Sequence, residues 1–176
     1  MGTSMMGTRT TGTSTPGTST RTPMMRLVRV AGDSMAPTYR SSDLLLTSPV
    51  GRTKDSVRRG DVVVFRRGEL RMIKRAVGLP GDLVEMEAGR LIINGDPVDG
   101  RPRVRGAFTQ TWRVPDHGYF MAGDNSSVSD DSRVWDEAYL AAGSVEAVVT
   151  RRVAGRPRWL QRFTPRRPGA ATRQVA

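Results

Sequence analysis

The chain has 176 residues, 37% of them hydrophobic and 26% charged, which is enough for one domain with a modest core. It has no cysteine and a single histidine, His117, which excludes disulfide scaffolds, zinc–thiolate sites, a cysteine nucleophile and any multi-histidine metal cluster. The formal net charge of +11 suits an anionic partner, yet only Lys54 and Lys74 among the 28 basic residues are lysines, and lysine, unlike arginine, can lose its proton at working pH.

Residues 1–25 are a Thr/Gly/Ser-rich segment with almost no large side chains. Such a segment cannot bury enough apolar area to offset chain entropy, and disorder is expected. Met24 and Met25 close it and leave the translation start open. From Arg26 to Val153 the texture is β. Strands are expected at Leu27–Val30, Leu44–Thr47, Val62–Phe65, Met72–Val77, Leu83–Glu87, Leu91–Ile93, Tyr119–Ala122 and Val145–Val149. Turn residues separate them at Arg59-Gly60-Asp61, Leu79-Pro80-Gly81-Asp82, Ala88-Gly89-Arg90 and Asn94-Gly95-Asp96. Glu87 to Arg90 reads as a hairpin turn. Only Asp136 to Ala142 predicts a short helical turn. Residues 154–176 form a basic tail, expected to be disordered, with Trp159, Leu160 and Phe163 interleaved among arginines. No run approaches 18 apolar residues and the start lacks an apolar h-region, so neither a membrane-spanning helix nor a secretory signal is expected in this chain.

Three segments can carry chemistry. Gly32-Asp33-Ser34-Met35-Ala36-Pro37-Thr38 follows a strand, and a serine on such a turn can present its hydroxyl and its own amide together, as nucleophile and oxyanion donor. Lys74 alternates with the apolar Met72 and Ala76 on one strand face, which points its amine toward the core. Burial favours the neutral amine. Shifting lysine from about 10.4 to near 7–8 takes roughly 4 kcal/mol of differential solvation, within reach of a buried site, and a neutral amine is a competent base. The third segment, Gly123 to Trp135, is densely polar; Asp131 and Arg133 can pair, and Ser129 can offer a hydroxyl. Two alternatives stand beside this: a calcium loop through Asp124, Asp130 and Asp131, whose spacing departs from the EF-hand pattern, and a Ser–His–Asp triad through His117, which sits in an exposed turn.

Taken in order, these segments resemble the type I signal peptidases, the membrane-associated Ser–Lys proteases. Gly32 to Thr38 resembles the family's nucleophile box, Arg59 to Phe65 its conserved strand, Ile73 to Asp82 its general-base box, and Gly123 to Trp135 its last box. The resemblance covers about Val30 to Arg152. It implies a mainly β fold, a coiled antiparallel β barrel or folded sheet with few short helices. It implies Ser34 as nucleophile, Lys74 as general base, Ser129 orienting the lysine amine, Asp131 and Arg133 as a supporting ion pair, and the oxyanion served at Ser34 and Gly32. Departures are Gly32, where some members carry a serine donor, Asp33 beside the nucleophile, and Asp136 after the tryptophan. Many members also begin with membrane-spanning helices.

The expected function is therefore a serine endopeptidase that removes N-terminal signal or leader peptides from exported preproteins after small residues. No metal or organic cofactor is implied, because Ser–Lys chemistry needs none. The implied partners are preproteins with small residues before the scissile bond and a membrane surface; nucleic acid is not expected. The implied location is the extracytoplasmic face of the cell membrane, held peripherally. The rival readings are a maturation peptidase dedicated to one precursor, a self-cleaving repressor-type domain, which would need a DNA-binding domain ahead of the serine, and a non-enzymatic basic β module.

Overall fold

The structure is a computed structural model, and it describes residues 24–51, 57–104, 109–154 and 174–175. The N-terminal low-complexity segment up to residue 23, Lys54 and the aromatic residues of the basic tail lie outside the described residues.

Among the described residues, twelve strands follow one another: β1 (Arg26–Val30), β2 (Leu44–Pro49), β3 (Val62–Arg67), β4 (Leu70–Gly78), β5 (Leu83–Glu87), β6 (Arg90–Ile93), β7 (Asp96–Pro97), β8 (Thr109–Arg113), β9 (Gly118–Ala122), β10 (Leu140–Ala141), β11 (Val145–Ala154) and β12 (Gln174–Val175). They form an eight-stranded sheet in the order β10-β9-β4-β3-β11-β2-β1-β12 and a four-stranded sheet in the order β7-β6-β5-β8. Pairing is antiparallel except between β1 and β12. The mainly β expectation holds, but the large sheet stays open and does not close into a barrel. Its two edge strands, β10 and β12, are two residues each, too short to pair across a gap.

Local chemistry accounts for the strand ends. Glu87 pairs with Arg90 across Ala88 and Gly89, whose φ angles of 48° and 78° are the double positive pair of a type I′ hairpin. Gly78 lets β4 end hard against the small sheet: a Cβ there would lie 2.8 Å from both Phe120 Cβ and Val84 Cγ2. Asp82 then secures the turn after β4, accepting from Leu79 N, Asn94 Nδ2 and Arg59.

The core has three parts. Val63, Phe65, Met72, Ala76, Tyr119, Met121 and Trp135 pack on one face of the large sheet. Val28, Val30, Met35, Leu45, Val64 and Ile73 pack on the other. Val77, Val84, Ile93, Val114 and Phe120 weld the two sheets together, with Trp112 tilted against Phe120 at 5.2 Å. Each fully buried large apolar side chain contributes about 1.5–3 kcal/mol.

Asp136 to Ala142 does not form the expected helical turn. Ala138 and Leu140 are buried, and docking them draws the chain out into β10, leaving only a single 3-10 turn at Ala142–Ser144. β11 runs on past Val149 through Thr150-Arg151-Arg152 because its pairing with β2 continues to Ala154, after its pairing with β3 has ended at Val148.

Candidate active site

Lys74 lies in the middle of β4, and β4 is an interior strand flanked by β3 and β9. Its neighbours two residues away, Met72 and Ala76, are both buried, and Val63 sits opposite across the ladder. The lysine is accordingly 1% exposed. Burial pushes its pKa below the ordinary 10.5; Asp131 and then Asp130 pull the other way, and Arg133 adds to the lowering.

Ser34 stands on a turn built for exposure. Gly32 begins it at φ +86°, open around its Cβ position, so it is the backbone conformation that calls for glycine there. Met35, next to the serine, is 1% exposed and buried among Val28, Val30, Leu45, Val64 and Ile73. It anchors the turn while Ser34 stays half-buried. The two side chains meet: Lys74 Nζ donates to Ser34 Oγ at 2.9 Å and to the Ile73 carbonyl at 3.1 Å. With the amine neutral, the same contact runs the other way, the Ser34 hydroxyl donating to the nitrogen lone pair.

The polar segment after β9 closes the site. Asn125 N donates to the Ser34 carbonyl at 2.9 Å, and Asn125 Nδ2 to the Asp33 carbonyl at 3.2 Å. Asp124 accepts from Arg75 Nε and Nη2 at 2.8 and 2.6 Å and from Thr38 Oγ1 at 2.5 Å. The turn that carries Ser34 is thus tied, through Asp124, to the residue next to Lys74. Gly123 has to be glycine for a steric reason: a Cβ there would lie 2.2 Å from Ser129 Oγ and 2.6 Å from the Ser34 carbonyl oxygen.

Asp131 is 0% exposed and forms the hub of the loop. Its carboxylate accepts from Arg133 Nε at 2.8 Å and Nη2 at 2.5 Å, from Gly123 N at 2.8 Å and from Ser129 Oγ at 2.5 Å. Burial alone would raise its pKa, but these hydrogen bonds and the Arg133 charge together hold it below the usual carboxylate range. Asp130 accepts from Trp135 Nε1 at 2.8 Å, and Arg67 stacks 4.4 Å over the Trp135 ring.

Most of the expected site residues therefore come together, with one correction. Ser129 does not hydrogen-bond Lys74. Its hydroxyl is taken by Asp131, whose ionised carboxylate is the stronger acceptor, so Ser129 bears on the lysine only through Asp131. Asp33 is exposed and is not among the charges acting on Lys74. His117 is also exposed, its carbonyl accepting from Ala142 N. The acids weighed as calcium ligands face separate partners: Arg75 for Asp124, the Trp135 indole for Asp130, Arg133 for Asp131. Arg75, Asn125 and Thr38 have no role assigned from sequence, and Asp124 only that of an alternative calcium ligand. A signal was there in Arg75 directly following the candidate base, but strand alternation turns it to the opposite face, and only the fold brings Asp124 to it.

Several known proteins are similar to this chain in sequence. The signal peptidase I S of Bacillus subtilis (strain 168) is 36% identical over 118 residues, 59% of this chain and 64% of that protein. The signal peptidase I of Leptolyngbya laminosa is 31% identical over 119 residues, 60% of this chain and 58% of that protein. The signal peptidase I of Pseudomonas aeruginosa is 29% identical over 182 residues, 77% of this chain and 64% of that protein. The chain thus spans less than two thirds of the length of each of these three relatives. A crystal structure of a signal peptidase I from Enterococcus faecalis V583 is 34% identical and covers 53% of this chain and 96% of its own, with a TM-score of 0.42. The family model described as signal peptidase, peptidase S26, matches residues 17–156, and the chain belongs to that family.

Proposed function

We propose that the chain is a serine endopeptidase that removes N-terminal signal or leader peptides from preproteins, with Ser34 as nucleophile and Lys74 as general base. The observation that carries this is the 2.9 Å contact between Ser34 Oγ and a lysine that is 1% exposed and held below its ordinary pKa. Burial favours the neutral amine, which can take a proton; a charged ammonium cannot.

In the reaction, neutral Lys74 Nζ takes the Ser34 hydroxyl proton as Oγ attacks the scissile carbonyl carbon. The tetrahedral oxyanion is served by the Ser34 amide. Lysine then hands its proton to the departing amine, leaving an acyl ester on Ser34. Lys74 next takes a proton from water as it attacks the ester; when the tetrahedral intermediate collapses, Lys74 returns that proton to the departing Ser34 Oγ, and the product acid leaves as a carboxylate, its own proton going to solvent. Gly32 offers no side-chain donor to the oxyanion, and absence of one such donor is worth about 10²–10³ in rate. Asp131, with Ser129 and Arg133 on it, keeps a fixed negative charge near Lys74 and tunes its proton affinity. Substrates with small, Ala-x-Ala-like residues before the cleaved bond, and action at the extracytoplasmic membrane face, belong to the same reading.

The test is cleavage of a signal-sequence peptide with alanines at the small-residue positions, from pH 6 to 10. Wild-type turnover is expected to rise with an apparent pKa below that of free lysine, and both Ser34→Ala and Lys74→Ala are expected to abolish it. Full cleavage by either variant would dismiss the dyad.

A further inference from the structure

At one end of the large sheet, on side chains the dyad does not use, Arg26, Pro49, Arg66, Arg71 and Glu146 line an open cleft of about 520 Å³. Arg66 on β3 and Arg71 on β4 are direct cross-strand partners, a placement in which like charges repel. Glu146 at the start of β11 bridges them, accepting from Arg66 Nε at 3.0 Å and from Arg71 Nε at 2.7 Å. One carboxylate thus serves two guanidiniums, and Arg26 brings a third positive charge with no ion pair among the described residues. The balance is incomplete at one atom. Arg71 Nη1 is buried and has no hydrogen-bond acceptor among the described residues. Buried guanidinium N–H groups normally have acceptors, and leaving one unmatched is costly.

We propose that this cleft is an anion site for a phosphate ester, with Arg71 Nη1, Arg66 and Arg26 as its donors. A phosphate presents several oxygens around a tetrahedron and can accept from arginines on three strands at once. A second carboxylate would duplicate the planar role Glu146 already fills. The cleft is also far roomier than a bare ion needs, which leaves space for the group esterified to the phosphate. Met25 and Leu70, the chain neighbours of Arg26 and Arg71, are 50% and 59% exposed, so apolar side chains border this end of the sheet. The phosphate can therefore come from a lipid headgroup or from a soluble ester; the chemistry recognised is the same.

The experiment uses the full chain and is independent of peptide cleavage. Glycerol 3-phosphate is titrated at constant ionic strength while the arginine Nε–H resonances of Arg66 and Arg71 are followed, with acetate as the carboxylate comparison. In parallel, flotation measures binding to phosphatidylcholine vesicles with and without phosphatidylglycerol. The variants are Arg26→Gln with Arg66→Gln, both exposed and safe to fold, against Arg101→Gln with Arg113→Gln, which remove the same charge elsewhere on the surface. Saturable shifts at Arg66 and Arg71 with the ester but not with acetate are expected in the wild type, with affinity read at Arg71 weakened about tenfold or more by the cleft pair and unchanged by the control pair. If the vesicles alone respond in this variant-dependent way, the source is lipid; if the ester alone does, it is soluble; either upholds the site. Equal losses in both variant pairs, equal shifts with acetate, or no variant-dependent response in either arm would overturn it.

Discussion

Gly123→Ala tests the site at its tightest point. The added methyl carbon would stand 2.2 Å from Ser129 Oγ and 2.6 Å from the Ser34 carbonyl oxygen, whereas ordinary contact starts at 3.4 Å. Ser129 Oγ can rotate away, at the expense of its bond to Asp131, but Ser129 Cβ, 2.7 Å from the added carbon, moves only with its backbone. The Ser34 carbonyl is backbone and must retreat by about 0.8 Å, pulling against the 2.9 Å hydrogen bond from Asn125 N. Overpacking of this kind costs about 1–3 kcal/mol, which for a chain of this length lowers Tm by roughly 3–10 °C. The same retreat stretches the 2.9 Å Ser34–Lys74 contact, and a misplacement near 1 Å costs about 10²-fold in kcat. Thermal unfolding and steady-state peptide cleavage measure the two effects separately. Adding Ser129→Ala removes the Oγ clash and leaves those with Ser129 Cβ at 2.7 Å and the Ser34 carbonyl, so the double variant should regain part of its Tm while its kcat stays low. Turnover within twofold of wild type, at an unchanged Tm, would refute the steric argument.

Two further variants separate charge from packing. Burial lowers the Lys74 pKa on folding, so the unfolded chain holds that proton more tightly, and stability should climb with pH between the lowered value and the ordinary 10.5. Lys74→Met should flatten that climb in urea unfolding and raise stability at pH 7, since no buried amine then has to give up solvation. Asp131→Asn should cost about 3–5 kcal/mol, because Arg133, with a side chain 11% exposed, loses its buried partner. Asp131 is also foremost among the charges raising the Lys74 pKa, so the rising limb of the rate profile should move to lower pH in this variant. The stability that wild-type Asp131 contributes is present above its unfolded pKa near 3.9 and lost as pH falls through its lower folded value; Asp131→Asn should lack that acid transition.

The strands legible in the sequence were those whose side chains face a core. Val62 to Phe65 and Met72 to Val77 read clearly because both faces are buried and β-branched residues recur. β8, Thr-Gln-Thr-Trp-Arg, escaped because it is an edge strand of the small sheet with mostly exposed side chains and therefore no apolar alternation. Asp136 to Ala142 misled because its local helix propensity is outweighed by docking Ala138 and Leu140. At the site, Lys74 could be picked out because a lysine between Met72 and Ala76 is anomalous on its own strand. The partner of Ser129 could not be found that way. Ser129, Asp131 and Arg133 lie within five residues, and only the loop's three-dimensional path decides that the hydroxyl turns to the carboxylate and away from the amine. The Arg75–Asp124–Thr38 tie spans 86 residues and has no local trace.

The place of β11 in the sheet order bears on when the dyad can exist. β11 lies between β3 and β2, so the backbone ladder joining the serine's half of the sheet (β1 and β2) to the lysine's half (β3 and β4) runs through a strand that starts only at Val145. During N-to-C synthesis both halves of the dyad are made early, yet the large sheet has no ladder between them until that late strand is inserted. Such long-range closure also makes for slow folding. The order of the strands thus acts as a timer: the Ser34–Lys74 contact, whose two side chains lie 40 residues apart, becomes rigid only after the strand starting at Val145 is in place.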